Sequence, residues 1–490
     1  MSVLAIDAGT TGVTALVVAT DGKIRGRGYA EFRQHYPRPG WVEHLPEGIW
    51  QATLSAARQA LAGGATVQAI GLTNQRETVV VWDRRTLAAP RRAIVWQDRR
   101  TVALCTRLRE EGHEPRVTEL TGLRLDPYFS ATKLAWIAVN DEATWNAITD
   151  GSAVAGTVDS YLIARLTAGR RHVTDASNAS RTLLYDINTG RWSAELCDLF
   201  AIPMSALPEV VPSYGVVGHA DPAEFLGLDV PIAGIAGDQQ AALFGQACFA
   251  PGDTKATFGT GSFVLVNTGK SIITPRSGLL STVAWQEPDG ELSYALEGAI
   301  FVTGAAVQWL RDGLGIIDAA PQTEALAATV PDAGGVVFVP ALTGLGAPDW
   351  DPDARGTILG ITRGTTRAHL IRATLEAIAY EVRDVFDLMT AVTGHTPRVL
   401  KADGGASANN LLMQMQADQV QIPVERPVVA ETTALGAGFL AGLGTGMWSS
   451  AAELAGTWQL DRRFEPAPRD ETGHDRWRSA VARAKGWAAL

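Results

Sequence analysis

One short device occurs twice in this chain, once near the start and once near the middle. Ile6-Asp7-Ala8-Gly9-Thr10-Thr11-Gly12 joins the apolar runs 3–6 and 14–18, and Lys255-Ala256-Thr257-Phe258-Gly259-Thr260-Gly261-Ser262 leads into the run 263–267. Each copy reads as strand, glycine-threonine turn, strand. Two copies opening two halves predict a duplicated α/β domain with the turns opposed across a cleft. The alternative is chance recurrence of Gly-Thr turns in a chain with 50 glycines. The turn cluster Ala250-Pro251-Gly252-Asp253 sets the expected boundary, giving halves 1–247 and 248–490.

Such a turn suits a phosphate, because glycine admits close backbone approach while amides and hydroxyls point at the oxygens. Thr10, Thr11 and Gly12 qualify in the first copy and Thr260 in the second. Asp7 would lie beside the phosphates, where a carboxylate is useful if it holds Mg²⁺ or a metal-bound water; otherwise these residues stabilise a hairpin. Residues 26–32, 68–72 and 78–82 read as further strands and 49–61 as a helix, which together predict an α/β domain. In the second half helices are expected at 305–310, 367–389 and 410–421, and the charged stretch 461–489 as a peripheral helix or extension.

Two polar constellations stand out against this apolar frame. The run 232–237 ends in Gly237-Asp238-Gln239-Gln240. A carboxylate at the C-terminal end of a strand points into the crevice where α/β proteins bind ligands and can serve as a general base. Equally, Asp238 could cap a helix starting at Ala241. Thr73-Asn74-Gln75-Arg76-Glu77 sets hydrogen-bonding side chains in a row between apolar strands. Arg76 and Glu77 could donate to and accept from vicinal hydroxyls, or be a surface pair. Residues 264–271 end like a P-loop and 436–441 match a dinucleotide fingerprint, but neither has the required context, and both read as packing glycines.

Lys+Arg at 42 against Asp+Glu at 52 gives a net charge of −10, which argues against a nucleic-acid partner. Cys105, Cys197 and Cys248 lack metal-ligand spacing and are expected to be reduced thiols. With neither a secretory signal nor an apolar run long enough to span a bilayer, no membrane partner is expected and the cytoplasm is the default location.

Asp7-x-Gly9-Thr10-Thr11, Asn74-Gln75-Arg76-Glu77, residues 93–97 around Trp96, Asp126-Pro127-Tyr128-Phe129-Ser130, Gly237-Asp238-Gln239-Gln240, Phe258-Gly259-Thr260-Gly261 and Asp403-Gly404-Gly405-Ala406-x-x-Asn409-Asn410 occur in that order. On these seven blocks the chain resembles the FGGY carbohydrate kinase family. The resemblance implies two actin-like, ribonuclease-H-type domains closing on a nucleotide and substrate cleft. It further implies ATP-dependent phosphorylation of glycerol, with ATP and Mg²⁺ as cofactors, the polyol held mainly by the first domain and ATP mainly by the second. Arg76, Glu77, Tyr128, Asp238 and Gln239 would then hold glycerol, with Trp96 and Phe263 against its carbon face and Asp238 as the base. Thr10, Thr11, Gly12 and Thr260 would face phosphate, Gly304, Gln308, Gly405 and Asn409 the nucleotide, and Asp7 the metal. A kinase for another small polyol or sugar such as erythritol or xylulose, or an actin-like ATPase without a small acceptor, are the competing readings. Oligomeric state is left open, a homo-oligomer included. Where the family usually has Arg or Lys this chain has Thr14, and residues 218–224 are acidic where some bacterial members carry a basic loop for fructose 1,6-bisphosphate inhibition, so that control is not expected here.

Overall fold

The computed structural model describes residues 1–274, 278–469 and 471–489. Two mixed sheets organise it. The first contains β1 (Ser2–Ala8), β2 (Gly12–Ala19), β3 (Ile24–Glu31), β4 (Ile70–Asn74), β5 (Tyr214–His219) and β6 (Pro231–Gly237), in the spatial order β5-β6-β4-β1-β2-β3. The second contains β7 (Thr254–Phe258), β8 (Ser262–Gly269), β9 (Leu280–Gln286), β10 (Leu292–Ile300), β11 (Leu400–Asp403), β12 (Val424–Pro427) and β13 (Leu460–Phe464), in the order β9-β10-β8-β7-β11-β12-β13. Val3, Leu4, Ala5 and Ile6 are all fully buried, since β1 is covered on both faces; this is why it reads as a continuous apolar run and not as an alternation.

The sheets repeat one local plan. In β3-β2-β1-β4 and in β10-β8-β7-β11, an antiparallel hairpin has a third antiparallel strand on one side and a parallel strand on the other. Asp7 lies opposite Thr14 and Thr73, and at the equivalent place Thr257 lies opposite Phe263 and Asp403. The duplication expected from the two hairpins is thus present down to strand register.

Eight helices carry the rest of the description: α1 (Pro46–Leu61), α2 (Ser130–Asn140), α3 (Asp238–Gly245), α4 (Gly304–Asp312), α5 (Arg367–Thr393), α6 (Asn410–Val420), α7 (Thr432–Gly444) and α8 (Glu471–Ala484). A Thr366–His369 capping box opens α5, and Gly394 closes it at φ 67°. Between the two sheets lie α3 and α7, in an apolar cluster that draws Val3 and Ala5 from the first sheet and Leu265 from the second. Their backbones touch: a Cβ on Gly436 would fall 1.8 Å from the Ala241 carbonyl oxygen, and one on Gly245 would fall 2.0 Å from that of Thr432. The 436–441 glycines are therefore helix-packing positions, as expected.

The strand read at 78–82 is present as Val80–Asp83, paired with Ala153–Gly156 in a separate two-stranded ribbon outside the two main sheets. The stretch 461–489, read as a peripheral helix or extension, holds both: it starts in β13 at the sheet edge and continues into α8, with residue 470 outside the described residues. An edge strand can carry Asp461, Arg462 and Arg463 at no burial cost, which made it look like a charged tail. All three cysteines are buried and unpaired. Among the described residues no helix is long and apolar enough to cross a membrane.

Candidate active site

The β4 strand runs out into the Thr73–Glu77 row, and burial shows that this is no solvated loop: Thr73, Asn74, Gln75, Arg76 and Glu77 are each at most 2% exposed. Buried polar groups are as a rule paired, and all of these but the Thr73 hydroxyl, which is buried without a partner, follow it. Gln75 Nε2 donates to the Gly9 carbonyl at 3.1 Å, tying the row to the first turn, and Asn74 exchanges hydrogen bonds with Asn178. Glu77 has φ 59°, a left-handed conformation unusual for a side-chain-bearing residue. Such strain persists only where the surroundings impose it, typically at functional sites.

Arg76 and Glu77 line a cavity of about 310 Å³ together with Thr10, Thr11, Trp96, Tyr128, Asp238, Gln239, Thr260 and Phe263. Arg76 is its centre. Nε lies 3.1 Å from Asp238 Oδ1, Nη2 donates to the Tyr128 hydroxyl at 3.3 Å, and the guanidinium sits 5.7 Å from the Phe263 ring centroid. Trp96 meets Tyr128 and Phe263 edge-on and donates from Nε1 to Thr10 Oγ1 at 2.9 Å. Hydrogen-bonding groups and aromatic rings thus share one small cavity, a combination that suits a small polyol with hydroxyls to bind and a C–H face to cover.

Asp238 occupies the first turn of α3, with Gly237 at the N-cap, so the helix begins three residues earlier than the Ala241 start expected from sequence. The carboxylate does not cap the helix from outside; its Oδ1 accepts from the Gln239 amide at 2.7 Å and faces Arg76. Enclosure by the protein raises its pKa, against the opposing pull of Arg76 and Lys255. Burial likewise raises Asp7, to about 8, with Asp238 adding to the effect, and Asp7 Oδ1 is buried with no hydrogen-bond partner. Gly12 begins β2, where any side chain would collide with Tyr29 and the Ala30 carbonyl at 2.8 Å. That gives its lack of a side chain a packing reason.

A second cavity of about 480 Å³ adjoins the first, sharing Gly259, Thr260 and Gln308 with it. Gly304, Gly405 and Asn409 also line it, and Val307, Leu375, Ala406 and Leu412 give it an apolar wall. Gly304 opens α4 packed on the second turn, where its amide donates to the Gly259 carbonyl at 3.0 Å. Asn409 caps α6 through Leu412 N and donates to Thr323 Oγ1 at 3.1 Å. Of the residues that the resemblance assigns to polyol, phosphate, nucleotide or metal, all except Asp7 and Gly12 line one of the two cavities.

Four charged residues behind the cavities were not singled out from the sequence. Glu297 and Arg181 back Arg76 and Glu77. Lys133 Nζ donates to the carbonyls of Pro127, Tyr128 and Phe129 at 2.7, 2.6 and 3.0 Å, fixing the loop that presents Tyr128. Lys255 Nζ donates to Gln239 Oε1 at 2.5 Å and Thr257 Oγ1 at 2.8 Å. A lone charge inside an apolar strand, as at Glu297 and Lys255, is the signal that could have found two of them.

Known proteins resemble this chain along its whole length. The family models for the FGGY carbohydrate kinases match it at residues 2–245, N-terminal domain, and 254–445, C-terminal domain. It is 52% identical over 492 residues to glycerol kinase 2 of Thermotoga maritima and 54% identical over 494 residues to glycerol kinase of Symbiobacterium thermophilum, with 99% of each chain covered. Among solved structures, Plasmodium falciparum glycerol kinase with ADP superposes with a TM-score of 0.88 at 35% identity, covering 99% of this chain and 98% of the other. Xylulose kinase from Lactobacillus acidophilus, at 21% identity and a TM-score of 0.86, shares the fold.

Proposed function

Because this chain belongs to the FGGY family of carbohydrate kinases, we infer from its two joined cavities that it transfers the γ-phosphoryl group of ATP directly to a terminal hydroxyl of glycerol, giving sn-glycerol 3-phosphate. The observation that carries the reading is Arg76: it is held among Glu77, Asp238 and Tyr128 in a small polar cavity that opens, past Gly259, Thr260 and Gln308, onto a larger apolar one.

In this reading the polyol lies in the smaller cavity, mainly on residues of the segment 1–247, and ATP in the larger, mainly on residues of the segment 248–490. Arg76 donates to glycerol oxygens and Glu77 accepts from its hydroxyls, with Tyr128 and Gln239 completing the set. Trp96 and Phe263 cover the carbon face. Asp238 accepts the proton of the attacking hydroxyl; its raised pKa makes it a better base than an ordinary carboxylate while Arg76 keeps it oriented. Thr10, Thr11 and Thr260 face the transferring phosphate, with Gly12 closing the first turn behind them against Tyr29 and Gly304, Gln308, Gly405 and Asn409 around the nucleotide. Phosphoryl transfer asks mostly for positioning and neutralisation of charge.

A divalent cation fits the residues present. Asp7 offers a buried carboxylate oxygen without a partner beside a second carboxylate, Asp238, and such a pair calls for positive charge. Mg²⁺ held by Asp7 would supply neutralisation of the ATP phosphates. Among the described residues no group of three or more His, Cys, Asp or Glu could hold a metal ion alone, so nucleotide and water would provide its other ligands.

The test is ADP release from Mg²⁺-ATP across glycerol, erythritol, ribitol, xylulose and dihydroxyacetone. Preference for glycerol is expected. Preference for a longer acceptor would overturn the substrate, and ATP hydrolysis indifferent to every acceptor would overturn the kinase reading.

A further inference from the structure

Glu297 lies in the middle of β10, opposite Leu265 on β8 and Leu280 on β9, and is fully buried. Its carboxylate takes a fork from Arg76, with Nη1 to Oε2 at 2.5 Å and Nη2 to Oε1 at 3.1 Å. The same Oε1 accepts from Arg181 Nη2 at 2.8 Å, and Arg181 Nε donates to Glu77 Oε1 at 2.8 Å. Glu77 Oε1 in turn is 3.8 Å from Arg76 Nε. The four side chains therefore close a ring of two cations and two anions, each at most 2% exposed. Burial alone would raise the Glu297 carboxyl, but Arg181 and Arg76 hold it below its ordinary value, so it stays ionised.

A buried ring of this kind is a poor way to gain stability, because desolvating four charges consumes most of their attraction. It remains incomplete as well: Arg181 Nη1 is buried without a partner. What the ring does supply is direction. Arg76 and Glu77 line the polyol cavity, whereas Glu297 and Arg181 stand behind them, off its wall. A guanidinium gripped by two carboxylate oxygens cannot rotate about its own axis, which leaves Nε turned toward Asp238.

We propose that Glu297 and Arg181 are positioning residues for the acceptor site: Glu297, from the second sheet, orients Arg76, and Arg181 locks Glu77 against Arg76, so that the polyol-binding pair of the first half is set by a carboxylate of the second. This rests on the assignment of Arg76 and Glu77 to the polyol. It predicts that loss of the ring weakens acceptor binding and leaves nucleotide binding intact, because neither Glu297 nor Arg181 borders the larger cavity.

The experiment compares full-length wild type with Glu297→Gln and Arg181→Lys, reading KM for glycerol and for ATP separately, kcat, and the shift in melting temperature produced by saturating glycerol. Glu297→Gln keeps the shape and removes the charge; Arg181→Lys keeps the charge and removes the paired Nε and Nη2 donors that bridge Glu77 and Glu297, and stands as the deciding variant should the first fail to fold. Expected are rises in glycerol KM of about 10- to 100-fold, the usual range for disturbed charge-assisted hydrogen bonds, an ATP KM within about twofold of wild type, and a diminished glycerol-induced melting shift. The double variant should be no worse than the poorer single one, since both act through one ring. Folded variants that keep the wild-type glycerol KM, or that raise both KM values together, would overturn the proposal. A wild type that prefers another acceptor moves the substrate assignment alone, and the same comparison is then made with that acceptor.

Discussion

Removal of the Asp238 charge should separate chemistry from folding. Asp238→Asn retains an oxygen to accept the Gln239 amide, 2.7 Å away, and loses only the charge facing Arg76 Nε at 3.1 Å. Arg76 stays paired through the fork to Glu297, so no buried cation is abandoned. Arg76 is 2% exposed and the Asp238 side chain 27%, but enclosure raises the Asp238 pKa against the pull of Arg76 and Lys255, so the charge is held at a net cost and its removal should take away about 1 kcal/mol of stability at most. The melting temperature should therefore drop by no more than about 2–4 °C. The rate effect is of another size: loss of a general base lowers kcat about 10²- to 10⁴-fold, or roughly 2.7–5.4 kcal/mol at 1.36 kcal/mol per decade. ADP release at saturating glycerol and ATP, with thermal melting of both proteins, measures the two quantities. The base acts deprotonated and its pKa is raised by enclosure. Wild-type activity should accordingly decline with falling pH at a pH above the ordinary aspartate range, and the variant should lack that limb. A natively melting variant with kcat within tenfold of wild type, or one that keeps the acid limb, would refute Asp238 as the base.

Gly436→Ala places a methyl 1.8 Å from a backbone oxygen of α3, which cannot swing away; a loss at or beyond the upper end of the roughly 1–3 kcal/mol typical of overpacking is expected in urea unfolding. Burial lifts the Cys105 and Cys248 thiols to about 12 and Cys197 to about 11, so a thiol reagent at pH 8 should leave the native protein unlabelled and titrate 3 thiols after denaturation. One fast thiol in the native state would contradict this. Thr14→Arg adds a cation opposite Asp7 and should raise kcat/KM for ATP in steady-state kinetics; no gain would indicate that Lys255, buried beside Gln239, already supplies the charge.

The parts of this fold legible in the sequence are those encoded by neighbours. Each glycine-threonine hairpin is a local pattern of strand, turn and strand, and its two copies carried the duplicated sheet plan with them. Asp238 was ambiguous because Gln239 and Gln240 interrupt the apolar period of α3 at its first turn; both are buried, occupied by Lys255 and by Arg76 with Thr282, which no local count of apolar residues can register. The ring behind the smaller cavity lies largely beyond such reading. Its bonds join residues 104, 116 and 221 positions apart, and nothing in the short stretch Ser180-Arg181-Thr182 distinguishes Arg181 from a surface arginine. Yet half of the information is present: a glutamate within Tyr294-Ala295-Leu296-Glu297-Gly298-Ala299-Ile300 must be buried with the strand that carries it, and a buried charge must find an opposite one. Sequence therefore announces that Glu297 needs a cation; only the closing of the two sheets over α3 and α7 decides that it meets Arg76, which lines the smaller cavity, together with Arg181.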